Sequence, residues 1–216
     1  MAYIDAEGLF WPEPGDILKV EHRLRKSSYA EIEGGKPSIL VFHLTGNHIP
    51  LGCDTSASDG TKGMAGRVSA GTAKYYAHGY LGRDGWLWQT VPLTRAAIHV
   101  AGRWEGRETN RIATGIEVTN LGYVNAATGQ GPGFKVTPSR ADLREHGSQA
   151  WHILSEPQNS AIIELAAAWR AWSGARVVDC LRGHQDVDPG STHMDPGPEL
   201  RAFLDGPVRS HLESAE

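Results

Sequence analysis

The residues best suited to chemistry crowd into one stretch, Leu181–Pro198, reading LRGHQDVDPGSTHMDPGP. It holds His184, His193, Asp186, Asp188 and Asp195 among three prolines and three glycines. Imidazoles and carboxylates bind metal ions and move protons. Proline and glycine at this density argue against a helix or an inner strand. The stretch therefore reads as a rigid, irregular loop, and the rest of the chain is expected to deliver partners to it.

Those partners need elements to carry them. Ser38–His43, SILVFH, is apolar on both alternating faces, as a central strand covered on each side would be, and it brings His43 to its C-terminal end. Ala113–Asn120 reads as a strand with Ile116 and Val118 on one face and Glu117 and Thr119 on the other. Arg176–Leu181 is a last inner strand feeding the opening stretch. Two strands, Ala77–Leu81 and Trp86–Val91, flank an RDG turn. Ser155–Gly174 is the clearest helix: Ser155 and Gln158 make a capping box, Ile162, Leu165, Trp169 and Trp172 form its stripe, and Gly174 stops it.

Elsewhere, Met1–Pro14 is read as irregular, tacked on by Phe10 and Trp11, and Asp16 as the cap of a helix to about Arg25. Gly46–Ala73 is a long loop with room for one short helix, Arg103–Arg111 a charged loop after His99, and Leu121–Leu154 a long polar insertion on the substrate side. Glu199–Leu204 and Val208–Leu212 are short helices. Alternating helices and strands give an α/β (α+β) domain, residues 1–216, with one central mixed sheet flanked by helices.

At 216 residues and 40% hydrophobic content, one well-buried core is expected. A net charge of −4 argues against nucleic acid as a partner. No apolar run approaches the ~20 residues of a membrane span, and MAYIDAEGLF lacks the basic and apolar regions of a signal peptide. The protein is thus expected to be made in the cytoplasm without an export signal. Ten histidines against two cysteines favour imidazole and carboxylate ligands. Cys53 and Cys180 match no CxxC pattern and read as buried thiols, a disulfide being the alternative. His43 and His184 fall at the ends of two strands, and Asp195, in a loop stiffened by Pro196 and Pro198, is a natural third ligand. Two imidazoles and a carboxylate with one open position follow the logic of a catalytic zinc site.

Five segments occur in order: VFHLT (Val41–Thr45), AHGYLGRDGWLWQTVP (Ala77–Pro92), IHVAG (Ile98–Gly102), TGIEVTN (Thr114–Asn120) and GHQDVDPGSTHMDPGP (Gly183–Pro198). Together they resemble the zinc-dependent N-acetylmuramoyl-L-alanine amidases of the type-2 family, whose fold is shared with peptidoglycan recognition proteins, over about residues 37–198. The resemblance implies one Zn2+ per chain on His43, His184 and Asp195, and peptidoglycan or a muropeptide as substrate. It also implies Glu117 as the acid–base group and His99 as a residue lining the cleft. Ile98 stands where the family usually has Trp, and Ala77 where some members carry a catalytic Tyr. His193 holds the place, two before the third ligand, often taken by Lys or Thr, and is expected to act on the oxyanion.

Arg103 and Arg107, just after His99, are expected to grip stem-peptide carboxylates, and Trp104 to offer a sugar platform. The bland readings are that Glu117 pairs with an arginine and that the arginines form a solvated face. His48 and His78 read as structural or solvent-facing, Asp186 and Asp188 as shaping the loop or pairing with arginines, and Trp86, Trp88, Trp169 and Trp172 as core. The function expected is hydrolysis of the amide between N-acetylmuramic acid and L-alanine, by a wall-degrading, antimicrobial endolysin or an exported effector acting in the periplasm or wall after non-classical release. An effector would have a cognate immunity protein. The alternatives are a cytoplasmic enzyme recycling anhydromuropeptides and a non-catalytic peptidoglycan-binding module.

Overall fold

In the computed structural model, which describes residues 2–26, 29–45, 59–120, 122–128, 140–176, 180–190 and 195–215, the apolar strand expected at SILVFH forms as Ile39–Leu44. In chain order, β1 is Tyr3–Ile4, β2 Phe10–Trp11, β3 Lys19–His22, β4 Ile39–Leu44, α1 Asp59–Ser69, β5 Gly79–Leu81, β6 Trp86–Gln89, β7 Arg103–Trp104 and β8 Arg107–Glu108. There follow β9 Ala113–Val118, β10 Tyr123–Asn125, β11 Leu143–His146, β12 Gln149–His152, α2 Glu156–Ser173 and β13 Leu181–Gly183. The short helices α3 His184–Val187, α4 Gly197–Phe203 and α5 Arg209–Glu213 complete the order.

The domain is α/β around a mixed six-stranded sheet, ordered β13-β4-β9-β5-β6-β3, in which only β5 and β6 run antiparallel. Alternation along the strands divides the core. Leu40, Phe42, Leu81, Leu87, Ile116 and Val118 face α2, where Ile162, Leu165 and Trp169 are buried. The opposite face carries Ile39, Val41 and Ala113 under Val100, Ile112 and Val187. Farther along that face, Tyr80 and Trp88 lie under Ala65 and Val68 of α1.

α2 forms as its sequence dictates. Ser155 Oγ accepts from the Gln158 amide, Gln158 Oε1 accepts from the Ser155 amide, and Gly174 ends the helix at φ 75°. Such a cap is worth about 1 kcal/mol. Trp169 is fully buried and donates from Nε1 to Thr114 Oγ1 at 2.8 Å, which locks the helix to β9.

Five expectations are corrected. The segment after Asp16 is not a helix but β3, paired in parallel with β6, because the Asp16 carboxylate accepts from the Glu13 amide while Glu164 takes the Ile17 and Leu18 amides. Leu121–Leu154 is not simply a loop: β10, β12 and β11 form a second, antiparallel sheet, with 129–139 outside the described residues. Arg103–Arg111 is a hairpin whose turn residues, Glu105 and Gly106, have φ of 48° and 78°, followed by a 3-10 turn. β13 pairs only with β4 among the described residues, so it is an edge and not an inner strand. Beyond it, His184–Val187 is a helical turn, not irregular loop. His48, Cys53 and His193 lie outside the described residues.

Candidate metal and catalytic site

Parallel strands place their C-terminal ends side by side, and the chemistry gathers there. His43, next to last in β4, has Glu117 of β9 as its register partner, and Glu117 in turn has Tyr80 of β5. Equal parity puts all three on one face of the sheet. β13 runs beside β4 and hands the chain to α3, whose first residue is His184. Asp195 enters from the turn before α4, which is packed closely on its neighbours. A Cβ on Gly183 would lie 2.3 Å from Pro196 Cδ, and one on Gly197 would lie 2.3 Å from the Trp151 ring.

The three side chains converge. His43 Nδ1 lies 3.1 Å from His184 Nδ1 and 3.3 Å from Asp195 Oδ2, and His184 Nδ1 lies 3.4 Å from Asp195 Oδ1. All three residues are buried, and Asp195 Oδ1 has no hydrogen bond among the described residues. A tetrahedral ion with bonds of ~2.0–2.2 Å sets its ligand atoms about 3.3–3.6 Å apart. The two spacings to Asp195 fall on that edge and the His43–His184 spacing of 3.1 Å lies just inside it, and the orphaned carboxylate oxygen is the kind of buried atom an ion would satisfy. These residues can hold a metal ion.

The electrostatics agree. Burial alone would raise Asp195, but the His184 and His43 imidazoles facing it at 3.4 and 3.3 Å outweigh burial and hold the carboxyl well below the usual range. Burial would lower His184, yet Asp195, Asp188 and Glu117 together raise it. The outer nitrogen of His184 faces the Asp188 carboxylate at 3.8 Å. Asp186 accepts from the Gly183 amide at 2.7 Å and pairs with Arg201 at 2.8 Å, which shapes the loop. Glu117 is half-buried; burial first and the Glu117 charge second push the Tyr80 phenol well above its ordinary value.

His99 is brought to the same place, but beneath the ligands: its Nδ1 lies 2.9 Å from His43 Nε2. Burial, then His43, His78 and His184, keep it well below the usual imidazole range. Arg103, Trp104 and Arg107 sit on the β7–β8 hairpin. Arg103 Nε donates to the Gly106 carbonyl at 2.9 Å, Arg107 approaches Glu105 at 3.9 Å, and the Arg182 guanidinium lies 5.0 Å from the Trp104 ring centre. Among the contacts of the described residues, no hydrogen bond, ion pair or ring contact links any of the three to His43, His184 or Asp195. The sequence reading passed over Asn110 and Gly115, which the geometry places around His99. Gly115 carried a signal, since glycine inside an apolar strand often marks a close approach.

No helix among the described residues is long and apolar enough to cross a membrane. No curated protein matches the chain in sequence. Among solved structures it is similar to a selenomethionine derivative of AmpD, with TM-score 0.58 and 19% identity over 93% of this chain and 98% of that one. It is also similar to AmiD from E. coli, solved with anhydro-N-acetylmuramic acid-L-Ala-D-γ-Glu-L-Lys, with TM-score 0.52 and 19% identity over 95% of this chain and 65% of that one. Drosophila PGRP-LB matches with TM-score 0.56 and 17% identity over 90% and 98%. At these identities the likeness is one of fold. Membership is carried by the sequence profile of the N-acetylmuramoyl-L-alanine amidases, which matches residues 33–198 and so spans β4, β9 and the whole ligand loop. The chain belongs to the type-2 N-acetylmuramoyl-L-alanine amidase family.

Proposed function

We propose that this amidase hydrolyses the amide between the lactyl group of N-acetylmuramic acid and L-alanine of the stem peptide, with one zinc ion held by His43, His184 and Asp195. The observation that carries this reading is the convergence of two imidazole nitrogens and a carboxylate within 4.8 Å of one another. Two nitrogens and an oxygen suit zinc, which when bound would supply Lewis-acid polarisation of the scissile carbonyl and of the attacking water.

Glu117 would accept the proton of that water on its carboxylate and deliver it to the departing alanine nitrogen. Its place on the same face as His43, and its influence on His184, support that role. His193 would donate to the carbonyl oxygen as negative charge develops there. The chemistry balances as hydrolysis: the C–N bond breaks, water supplies the hydroxyl to carbon, and its proton reaches nitrogen.

Incubation with intact sacculi and, separately, with soluble anhydromuropeptide tests the reading. Release of new α-amino groups on L-alanine, abolished by a chelator and restored by zinc, is the expected result. Cleavage of sacculi would place the enzyme among wall-degrading lysins or effectors, and cleavage of the soluble substrate alone would make it a recycling enzyme. Binding without new amino groups on either substrate would overturn the proposal in favour of a binding module.

A further inference from the structure

We propose that His99 is a positioning residue for His43: it accepts the Nε2 proton of that imidazole and so turns the Nδ1 lone pair toward His184 and Asp195. This rests on the metal reading above and goes beyond it, because it assigns what presents the ligand.

The hydrogen bookkeeping is short. A neutral imidazole carries one N–H. If His43 Nδ1 is to offer a lone pair, the hydrogen is on Nε2 and needs a buried acceptor, which His99 Nδ1 provides at 2.9 Å with the rings edge-on at 86°. His99 must then carry its own hydrogen on Nε2, a buried atom without a well-formed hydrogen bond among the described residues, the Ala113 backbone being the one hydrogen-bonding group there that acts on the ring. An arrangement that leaves a buried donor poorly partnered needs a scaffold to enforce it, and one is present.

The His99 ring lies on Gly115, where a Cβ would fall 2.3 Å from Nδ1, so β9 admits the ring only because residue 115 has no side chain. Gly115 is itself fixed by His78. Its amide donates to His78 Nδ1 at 3.0 Å, its carbonyl accepts from the His78 amide at 2.9 Å, and His78 Nε2 bonds the Arg95 carbonyl at 2.8 Å. From the other side Asn110 clamps the backbone: its Oδ1 accepts from the His99 and Val100 amides at 3.0 and 3.1 Å, and its Nδ2 donates to the Val100 carbonyl at 2.6 Å. The bare backbone of Gly115 thus seats the ring, and Asn110 holds the backbone that carries it.

The test compares His99→Asn with His99→Leu, two side chains of nearly equal shape of which only asparagine has an acceptor near the Nδ1 position. Zinc affinity is measured by competition with a chromophoric chelator, and ligand geometry by the visible spectrum of the cobalt(II)-loaded protein. His99→Leu is expected to bind zinc about 10- to 100-fold more weakly and to shift the cobalt bands, while His99→Asn stays within a few-fold of the unaltered protein. Gly115→Ala, which keeps His99 but displaces its ring, should resemble His99→Leu, and it carries the test should His99→Leu fail to fold. Equal zinc affinity in His99→Leu and the unaltered protein, or equal weakening in His99→Leu and His99→Asn, would overturn the acceptor role. Failure of the unaltered protein to bind zinc would instead overturn the metal reading, and this proposal with it.

Discussion

Two neighbouring regions of one sheet face use buried histidine in opposite ways. At the strand ends, His43 and His184 look into a carboxylate, and His184 is raised despite its burial. Beside Gly115, His78 has only backbone for hydrogen-bonding partners among the described residues, and burial pushes it down to about 4. Burial is similar in both, so burial does not decide what a histidine does here. The facing group decides: a carboxylate creates a place for positive charge, a proton or a metal ion, whereas carbonyl and amide groups fix a neutral ring that serves as a strut.

The largest effect that sharpens this contrast should come from the strand ends. Glu117→Gln keeps the shape of the side chain and removes its basicity. It should lower kcat by about 10²–10⁴-fold while zinc content and thermal stability stay near those of the unaltered protein. Steady-state kinetics with metal analysis checks both, and loss of the metal together with activity would mean that Glu117 shapes the site instead of moving protons.

The strut region should answer in stability. His78 has a folded pKa of about 4 against about 6.5 when unfolded, so only the unfolded chain takes up its proton in that window. Stability is therefore full above pH 6.5 and falls as pH drops toward 4, by about 3 kcal/mol in total from this residue. His152, lowered to about 3 by burial and then Arg83, adds to the same trend. Denaturant unfolding of the metal-free protein across this range should show the decline, and His78→Gln should flatten part of it. An identical slope in the variant would move the effect elsewhere.

The smallest effect belongs to the hairpin. Arg103 is bonded to its own turn and Arg107 is half-exposed beside Glu105. Replacing either by Ala should change folding stability by less than about 0.5 kcal/mol. Comparing hydrolysis of stems with free and amidated carboxylates then isolates their proposed substrate role. A loss confined to the free-carboxylate stem supports it, and equal rates on both remove it.

What the sequence made legible follows the strength of local signals. β4 was readable because both of its faces are apolar, and α2 because cap, stripe and stop residue agree. His43, His184 and Asp195 stood out through residue type and the stiffened loop between the last two. The second sheet was hidden because its strands are three or four residues long and β11 is largely exposed. Non-local contacts hold it: Trp151 against Gly197, and Arg144 and His146 on Glu199 at 2.8 and 2.6 Å. β3 was misread because four residues with one apolar side chain fit either period, and pairing with β6 settles the choice. The β7–β8 turn uses Glu-Gly, without the Asn or Asp that usually announces it. The cradle of His99 joins positions 78, 99, 110 and 115, and no local pattern encodes such a meeting.

One consequence concerns time. His43 and His184, whose Nδ1 atoms meet, are separated by 141 positions, and Asp195 comes later still. Leu200, Leu204, Val208 and Leu212, which help to close the core around α2, follow all three ligands. As the chain leaves the ribosome, β4 and β9 can pair long before the loop that completes the site exists, and that loop gains its packing only after the final helices arrive. An amidase wired in this order stays chemically silent until the helices after Asp195 have been made and packed, and then becomes competent almost as one event.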